Sequence, residues 1–217
     1  MKVILFGTSG TAGSGVLKTC LADPMVNEVR TITRRPLAIS NPKLREFLHD
    51  DYVVYKAVAE AFAGVDTCFF CLGISVSLVS GELEYRRITH DFALAAVQML
   101  RHQSPDAAFH YLSGQGTGLK SRFIWARVKA ETERDLQAVT NVVCWRPAYI
   151  DGNLSPSTPL RNRVLQPVFR LLKPLRKIYV HSEDIGRAMV QATRENIRGR
   201  VIENPEIRAL ADRSKTL

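Results

Sequence analysis

The chain opens on a short apolar run, Val3-Ile4-Leu5-Phe6, and then places glycine at every third position through Gly7-Thr8-Ser9-Gly10-Thr11-Ala12-Gly13. No other stretch restricts the fold as tightly. A continuous apolar run of this length that ends on a turn residue reads as a buried strand. Residues 11–23 follow with an apolar stripe at Ala12, Val16, Leu17, Cys20 and Leu21, which reads as a helix. A strand that passes into a helix through G-x-x-G-x-x-G has a specific physical use. Gly7 makes the tight turn, Gly10 lets the backbone approach a pyrophosphate, and Gly13 lets the helix pack close to the strand. Thr8, Ser9, Thr11 and Ala12 complete the turn. The helix N-terminus then presents unpaired N–H groups and a favourable dipole to an anion. The plainer alternative is a glycine-rich turn that merely opens a helix. Strand, spacing and helix agree, which selects the dinucleotide-binding turn.

Further along, apolar runs alternate with helical periodicity. Strands are predicted at 29–33, 44–48, 65–72, 107–112 and 141–145. Helices are predicted at 57–62, 83–101 and 123–138. Strands that alternate with helices imply a parallel sheet with right-handed crossovers. Six such strands predict an α/β, doubly wound parallel sheet, the Rossmann fold, with a small C-terminal lobe. The 217 residues suit one domain spanning 1–217, with residues ~153–217 as a small substrate or partner lobe.

Composition narrows the partners without choosing among them. Hydrophobic residues are 46% and charged residues 24%, which excludes a disordered chain. Thirty Lys and Arg against 21 Asp and Glu give +9, a balance that favours anionic ligands. No nucleic-acid motif accompanies that charge, so nucleic acid is not expected. No apolar segment is long enough to span a bilayer, and the N-terminal run is too short for a secretory signal. These features read as a cytoplasmic protein. Cys68 and Cys71 form a CxxC, but no second pair or histidine cluster completes a metal site, and the pair lies inside an apolar run. A buried strand is the better reading there, and no metal is expected.

The end of the second strand selects the cofactor. An NAD-binding fold places Asp or Glu there to hold the ribose 2′-hydroxyl. This chain has Thr33-Arg34-Arg35-Pro36. No acid repels a 2′-phosphate, and two guanidinium groups can bind it. NADP(H) is therefore expected over NAD(H), against the alternative that Arg34 and Arg35 are solvated loop charges.

With these residues in hand, the chain resembles the short-chain dehydrogenase/reductase superfamily, and most of all its atypical branch near NmrA-like and Tat-interacting-protein-like members. The resemblance extends to about residue 195. It rests on the glycine turn, Arg34-Arg35, Asp51, Cys71-Leu72-Gly73, Ser113, Lys129 and Arg146-Pro147-Ala148-Tyr149-Ile150-Asp151-Gly152. It implies Asp51 near the adenine and Cys71, Leu72 and Gly73 in a turn beside the cofactor. It also implies Pro147 and Tyr149 near the nicotinamide end. His181-Ser182-Glu183-Asp184-Ile185 resembles the segment that starts a late helix, with Ser182 as its N-cap.

Enzymes of that superfamily use Ser, then Tyr-x-x-x-Lys on the next helix. The resemblance makes Ser113 and Lys129 the catalytic and cofactor-binding pair here. The position four residues before Lys129, on the same helical face, is Trp125. An indole donates a hydrogen bond but does not titrate usefully, so it cannot exchange a proton as a phenol does. Tyr111 and Tyr149 are distant stand-ins. Two functions follow as expectations. One is an NADP-dependent oxidoreductase or epimerase relative with altered acid–base chemistry, acting on an unknown small molecule. The other is a non-catalytic NADP(H)-sensing protein that binds a protein partner. Arg161, Arg163, Arg170, Lys173, Arg176 and Lys177 interleave with aliphatic residues across 161–177. The sharp reading of that stretch is a weak contact with acidic membrane. The blander reading, a lobe helix with solvated charges, is preferred because Pro167 and Pro174 interrupt it.

Overall fold

The computed structural model describes residues 1–153, 174, 175 and 177–214. The six predicted segments become parallel strands: β1 (Lys2–Phe6), β2 (Glu28–Thr33), β3 (Leu44–Leu48), β4 (Thr67–Phe70), β5 (Ala108–Leu112) and β6 (Val143–Arg146). The C-terminal part adds β7 (Tyr149–Asp151), β8 (Tyr179–His181) and β9 (Val201–Glu203). The main sheet has seven strands, in the order β3-β2-β1-β4-β5-β6-β9, and every neighbouring pair is parallel. β7 and β8 pair separately. The doubly wound Rossmann architecture is therefore present, with one strand more than the six expected.

Side chains alternate across this sheet, so each strand feeds two cores. Ile4, Phe6, Ile32, Cys68, Phe70, Phe109 and Cys144 pack on one face against α3 (Phe92–Gln103) and α4 (Ile124–Val139). Val3, Leu5, Val29, Phe69, Cys71, Val143 and Trp145 pack on the other face. Their partners there are α1 (Thr11–Ala22), α5 (Ser182–Arg194) and α6 (Asn204–Arg213). Helices on both faces explain why β1 and β4 read as nearly unbroken apolar runs rather than as alternating ones. Cys68 and Cys71 fall into opposite cores, so the sheet itself keeps the two thiols apart. Trp145, Phe69 and Phe70 are fully buried, as expected of core residues.

Three features differ from the sequence reading. The helix expected over 83–101 is divided into α2 (Glu82–Arg86), a π turn at Arg87–Asp91 and α3. The widened turn carries buried Thr89 and His90 inward. Tyr111 Oη donates to Thr89 O at 3.4 Å, and the His90 ring lies between Asp91 and Asp135. The polar tail beyond Asn204 folds as α6, whose Ile207, Leu210 and Ala211 are buried. His181, not Ser182, caps α5, its Nδ1 accepting from the Glu183 N–H at 3.3 Å. Ser182 is instead buried at a close crossing, where a Cβ on Gly15 or Gly152 would meet its Oγ at 2.3 Å. Of the basic 161–177 stretch, only Pro174, Leu175 and Lys177 lie within the described residues; the reading of that stretch otherwise falls outside them. No helix among the described residues is long and apolar enough to cross a membrane.

Candidate functional site

The strand order reverses between β1 and β4, and ligands of open α/β sheets bind outside the carboxyl ends of the strands at such a point. The sequence-predicted residues lie at or after those ends: Gly7 follows β1, Arg34 follows β2, Cys71 follows β4, Ser113 follows β5, and Pro147 and Tyr149 follow β6.

The glycine turn is tight enough to require its glycines. Gly7 has φ +77°, and a Cβ on it would meet Cys71 O at 2.5 Å. A Cβ on Gly13 would meet Gly7 O at 2.0 Å, so the first and third glycines press against one another. The Gly10 N–H donates to Gly7 O at 2.9 Å and closes the turn. Gly10 is the N-cap of α1 and supplies no side-chain cap, and the first turn holds no acid. The helix start thus keeps the unpaired N–H groups and positive potential that suit an anion. Buried Thr8 meets Thr31 at 3.4 Å between hydroxyls, which ties the turn to β2, while Ser9 is exposed and Thr11 half-buried at the helix start.

At the end of β2, Arg34 and Arg35 are both exposed. Thr33 Oγ1 beside them is buried with no hydrogen-bond partner among the described residues. Asp51 is exposed, and its carboxylate accepts from the Val53 N–H at 3.0 Å. Next to it, Tyr52 is buried and stacks on Phe92 at 5.4 Å; burial raises its phenol and the Arg34 guanidinium opposes the shift. After β4, Cys71 is buried and its thiol is pushed up to about 12 by burial, so it is not a nucleophile at neutral pH. Leu72 is half-buried and Gly73 exposed. The residues present therefore fit a dinucleotide on two counts of geometry: the glycine cradle, and the orphaned hydroxyl at the end of β2.

Ser113 and Lys129 are brought together. Ser113 is buried, and its N–H donates to Trp145 O at 2.7 Å. Lys129 Nζ donates to Ser113 O at 2.6 Å and meets Leu112 O at 3.4 Å. Thr117 is a partner the sequence reading did not identify. Its hydroxyl donates to Gly114 O at 2.7 Å and lies 3.1 Å from Ser113 Oγ. A hydroxyl has one proton, so Ser113 Oγ donates to Thr117 and keeps its lone pairs as acceptors. The sole sequence signal for Thr117 was a hydroxyl four residues after Ser113 in a glycine-rich loop.

Trp125 is half-buried and lies over that loop. A Cβ on Gly116 would come within 3.5 Å of the indole, and one on Gly114 within 3.9 Å of the indole and 3.8 Å of Lys129 Nζ. The distant tyrosines do not replace a phenol here. Tyr111 is buried with its hydroxyl on Thr89 O, and Tyr149 packs on Tyr179 at 6.1 Å. Pro147 is buried, and its carbonyl accepts from the Gln115 N–H at 2.9 Å, which fixes the β6 end to the Ser113 loop. Burial lowers Lys129 to about 8, with buried Glu133 one turn further along α4 acting in the other direction. Glu133 is itself held by Arg146 through two bonds of 3.0 and 2.6 Å. A separate open groove of about 480 Å³ runs along α4 past Leu119, Arg134 and Val201 and includes none of the glycine-turn residues.

No protein-family model matches the chain. The mitochondrial protein fmp52-1 of Aspergillus terreus is 29% identical over 165 residues, covering 73% of this chain and 71% of its own. The naming of such relatives as mitochondrial overturns the expectation of a cytoplasmic protein, which rested on the lack of a secretory or spanning segment. Among solved structures, an oxidoreductase of the short-chain dehydrogenase/reductase family from Burkholderia thailandensis superposes with a TM-score of 0.75. It is 13% identical, and the match covers 96% of this chain and 92% of that one. DesIV, a dTDP-glucose 4,6-dehydratase from Streptomyces venezuelae solved with NAD and TYD bound, gives 0.72 at 17% identity, covering 100% and 81%. The chain therefore has the Rossmann fold of the short-chain dehydrogenase/reductase proteins.

Proposed function

We propose that the chain binds NADP(H) at the carboxyl ends of its strands and is an atypical, NmrA-like relative of the short-chain dehydrogenase/reductase oxidoreductases and epimerases. The observation that supports this most is the glycine turn, in which Gly7 and Gly13 leave no room for side chains and Gly10 opens an uncapped α1. On this reading the pyrophosphate lies on the α1 N-terminus, Arg34 and Arg35 take the 2′-phosphate, and Thr33 and Asp51 face the adenosine. Cys71, Leu72, Gly73, Pro147 and Tyr149 line the remainder. A bound nicotinamide supplies hydride chemistry. Ser113 accepts from a ligand hydroxyl, and Lys129 donates. The mitochondrial relatives favour a mitochondrial setting.

A fluorescence titration with NADPH and NADH tests the reading. NADPH is expected to bind the more tightly. Replacing both Arg34 and Arg35 with Ala removes charge-assisted bonds worth about 1.5–3 kcal/mol, so NADPH affinity falls at least tenfold while NADH affinity holds. Equal affinity for the two cofactors before substitution would overturn the preference, and binding of neither would overturn the site. Trp125 at the phenol's position favours a second reading, in which the cofactor regulates a protein partner and no turnover occurs. A partner whose affinity ignores NADP(H) would eliminate that reading.

A further inference from the structure

We propose that Lys129 Nζ is the proton-exchanging group of this cleft, taking the role that a tyrosine at position 125 would hold. The proposal rests on the reading of the cleft as a dinucleotide site, and its geometry is particular to this chain. Trp125 stands one turn before Lys129 and lies against Gly116 and Gly114, so the helix face that would present a phenol presents an indole instead. The Ser113 hydroxyl donates its hydrogen bond to Thr117. The indole and the two hydroxyls do not titrate usefully, which leaves the amine of Lys129, held on the Ser113 carbonyl, to exchange a proton beside them.

Its hydrogen bonds suit both protonation states. An ammonium has three donors. Two reach Ser113 O and Leu112 O, at 2.6 and 3.4 Å. A neutral amine keeps two N–H groups, so both carbonyl bonds survive deprotonation. The third position alternates between a proton and a lone pair without movement of the side chain. The charged groups around it are few. Glu133 faces it from its own helix, Arg146 approaches from β6 bound to Glu133, and Glu203 on β9 stands behind Arg146. Burial outweighs the Glu133 carboxylate, which is itself paired with Arg146, and brings the amine down to about 8. That value lies where an acid–base group works best near neutral pH.

Competitive labelling of the whole protein with acetic anhydride between pH 6 and 11, read by peptide mass spectrometry, tests this directly. Lys129 is expected to reach half-reaction near pH 8, well below the ordinary lysine value of about 10.4. A midpoint at that ordinary value overturns the proposal. So does failure to react at any pH, because an amine that a small anhydride cannot reach delivers no proton to a ligand. A second readout uses binding. NADP(H) is an anion, so its arrival at a half-protonated amine should draw a fraction of a proton into the protein at pH 8, measured by calorimetry in two buffers. Lys129→Arg keeps the charge but cannot deprotonate, so that uptake should vanish. Zero uptake in the unsubstituted protein overturns the proposal. If NADPH and NADH both fail to bind while Lys129 still titrates near 8, the dinucleotide reading fails and the titration stands. If NADPH binds and Lys129 titrates at the ordinary lysine value of about 10.4, the proton-exchange proposal alone fails.

Discussion

Single residues divide the glycine turn into a structural part and a ligand part. Gly13 opposes the backbone of Gly7, which cannot retreat, whereas a Cβ on Gly10 would sit 3.3 Å from Gly7 O at an ordinary φ of −84°. Gly13→Ala must therefore separate α1 from β1, and overpacking of this kind costs about 1–3 kcal/mol. Gly10→Ala places a methyl where a pyrophosphate would approach and disturbs the fold little. Urea denaturation with an NADPH titration on each variant separates these effects. Gly13→Ala should lose stability, and Gly10→Ala should lose affinity at nearly unchanged stability. The reverse order would refute the division. This turn was legible in the sequence because its physics is local: a strand, three glycines and a helix start within thirteen residues. Thr117 was not legible, because a hydroxyl four residues beyond Ser113 has no meaning until the loop folds back on Gly114. Nor was the pairing of Glu133 with Arg146, thirteen positions apart and on different elements.

At the scale of elements, strand strength decided what could be read. β1, β4 and β5 lie between two layers of helix, so each is made mostly of apolar residues, whereas β2 was legible from its β-branched Val29, Thr31, Ile32 and Thr33. β7, β8 and β9 have three residues each, too few for a period to show. α6 is hidden by its Arg and Asp residues, although Ile207, Leu210 and Ala211 have helical spacing and Pro205 stands in its first turn, where proline is favoured. The π turn at Arg87–Asp91 leaves no mark on the apolar period. A close contact between helices was also invisible. α1 and α5 cross where a Cβ on Gly186 would lie 2.8 Å from Thr19 Cβ and 3.0 Å from Val16 Cα, both on α1. Thr19 Oγ1 is 3.1 Å from Gly15 O and from Glu183 O, so it bridges the two helices. Gly186→Val should force them apart and destabilise the protein by about 2–3 kcal/mol. Gly118→Ala, where a Cβ meets nothing within 4 Å, should stay within about 0.5 kcal/mol. Thermal unfolding of the two variants checks this, and a Gly186→Val protein as stable as its parent would mean the crossing has slack that its distances deny.

Across the whole molecule, one buried histidine joins the sheet to its helical layer and sets a pH limit on the fold. Trp145 Nε1 on β6 donates to His110 Nδ1 on β5 at 3.1 Å, and His110 Nε2 lies 3.3 Å from Thr193 Oγ1 on α5. The Thr193 hydroxyl donates to Met189 O at 2.9 Å, so it accepts from Nε2–H, and the imidazole is neutral with both nitrogens satisfied. A proton added at Nδ1 would face the indole N–H. His110 is fully buried, and burial lowers it from 6.5 to about 3, with Arg198 adding to the shift. The folded state therefore binds no proton there between about pH 6.5 and 3, while the unfolded chain does. Stability must fall with acidity across that window, at roughly 1.4 kcal/mol per pH unit. The carboxylates held low, such as Glu183 by Lys18 and Glu195 by its Gln191 hydrogen bond and Arg213, act below the ordinary carboxylate range, so the upper part of the window belongs to His110. Between pH 6.5 and 4.5 the loss amounts to about 2 kcal/mol. His110→Phe keeps the ring against Trp145 but cannot titrate; it should be less stable at pH 7 and lose little more on acidification. Urea midpoints at pH 7, 6 and 5 then converge for the two proteins. Parallel loss in both would show that the acid limit lies elsewhere and that the imidazole accepts a proton inside the fold.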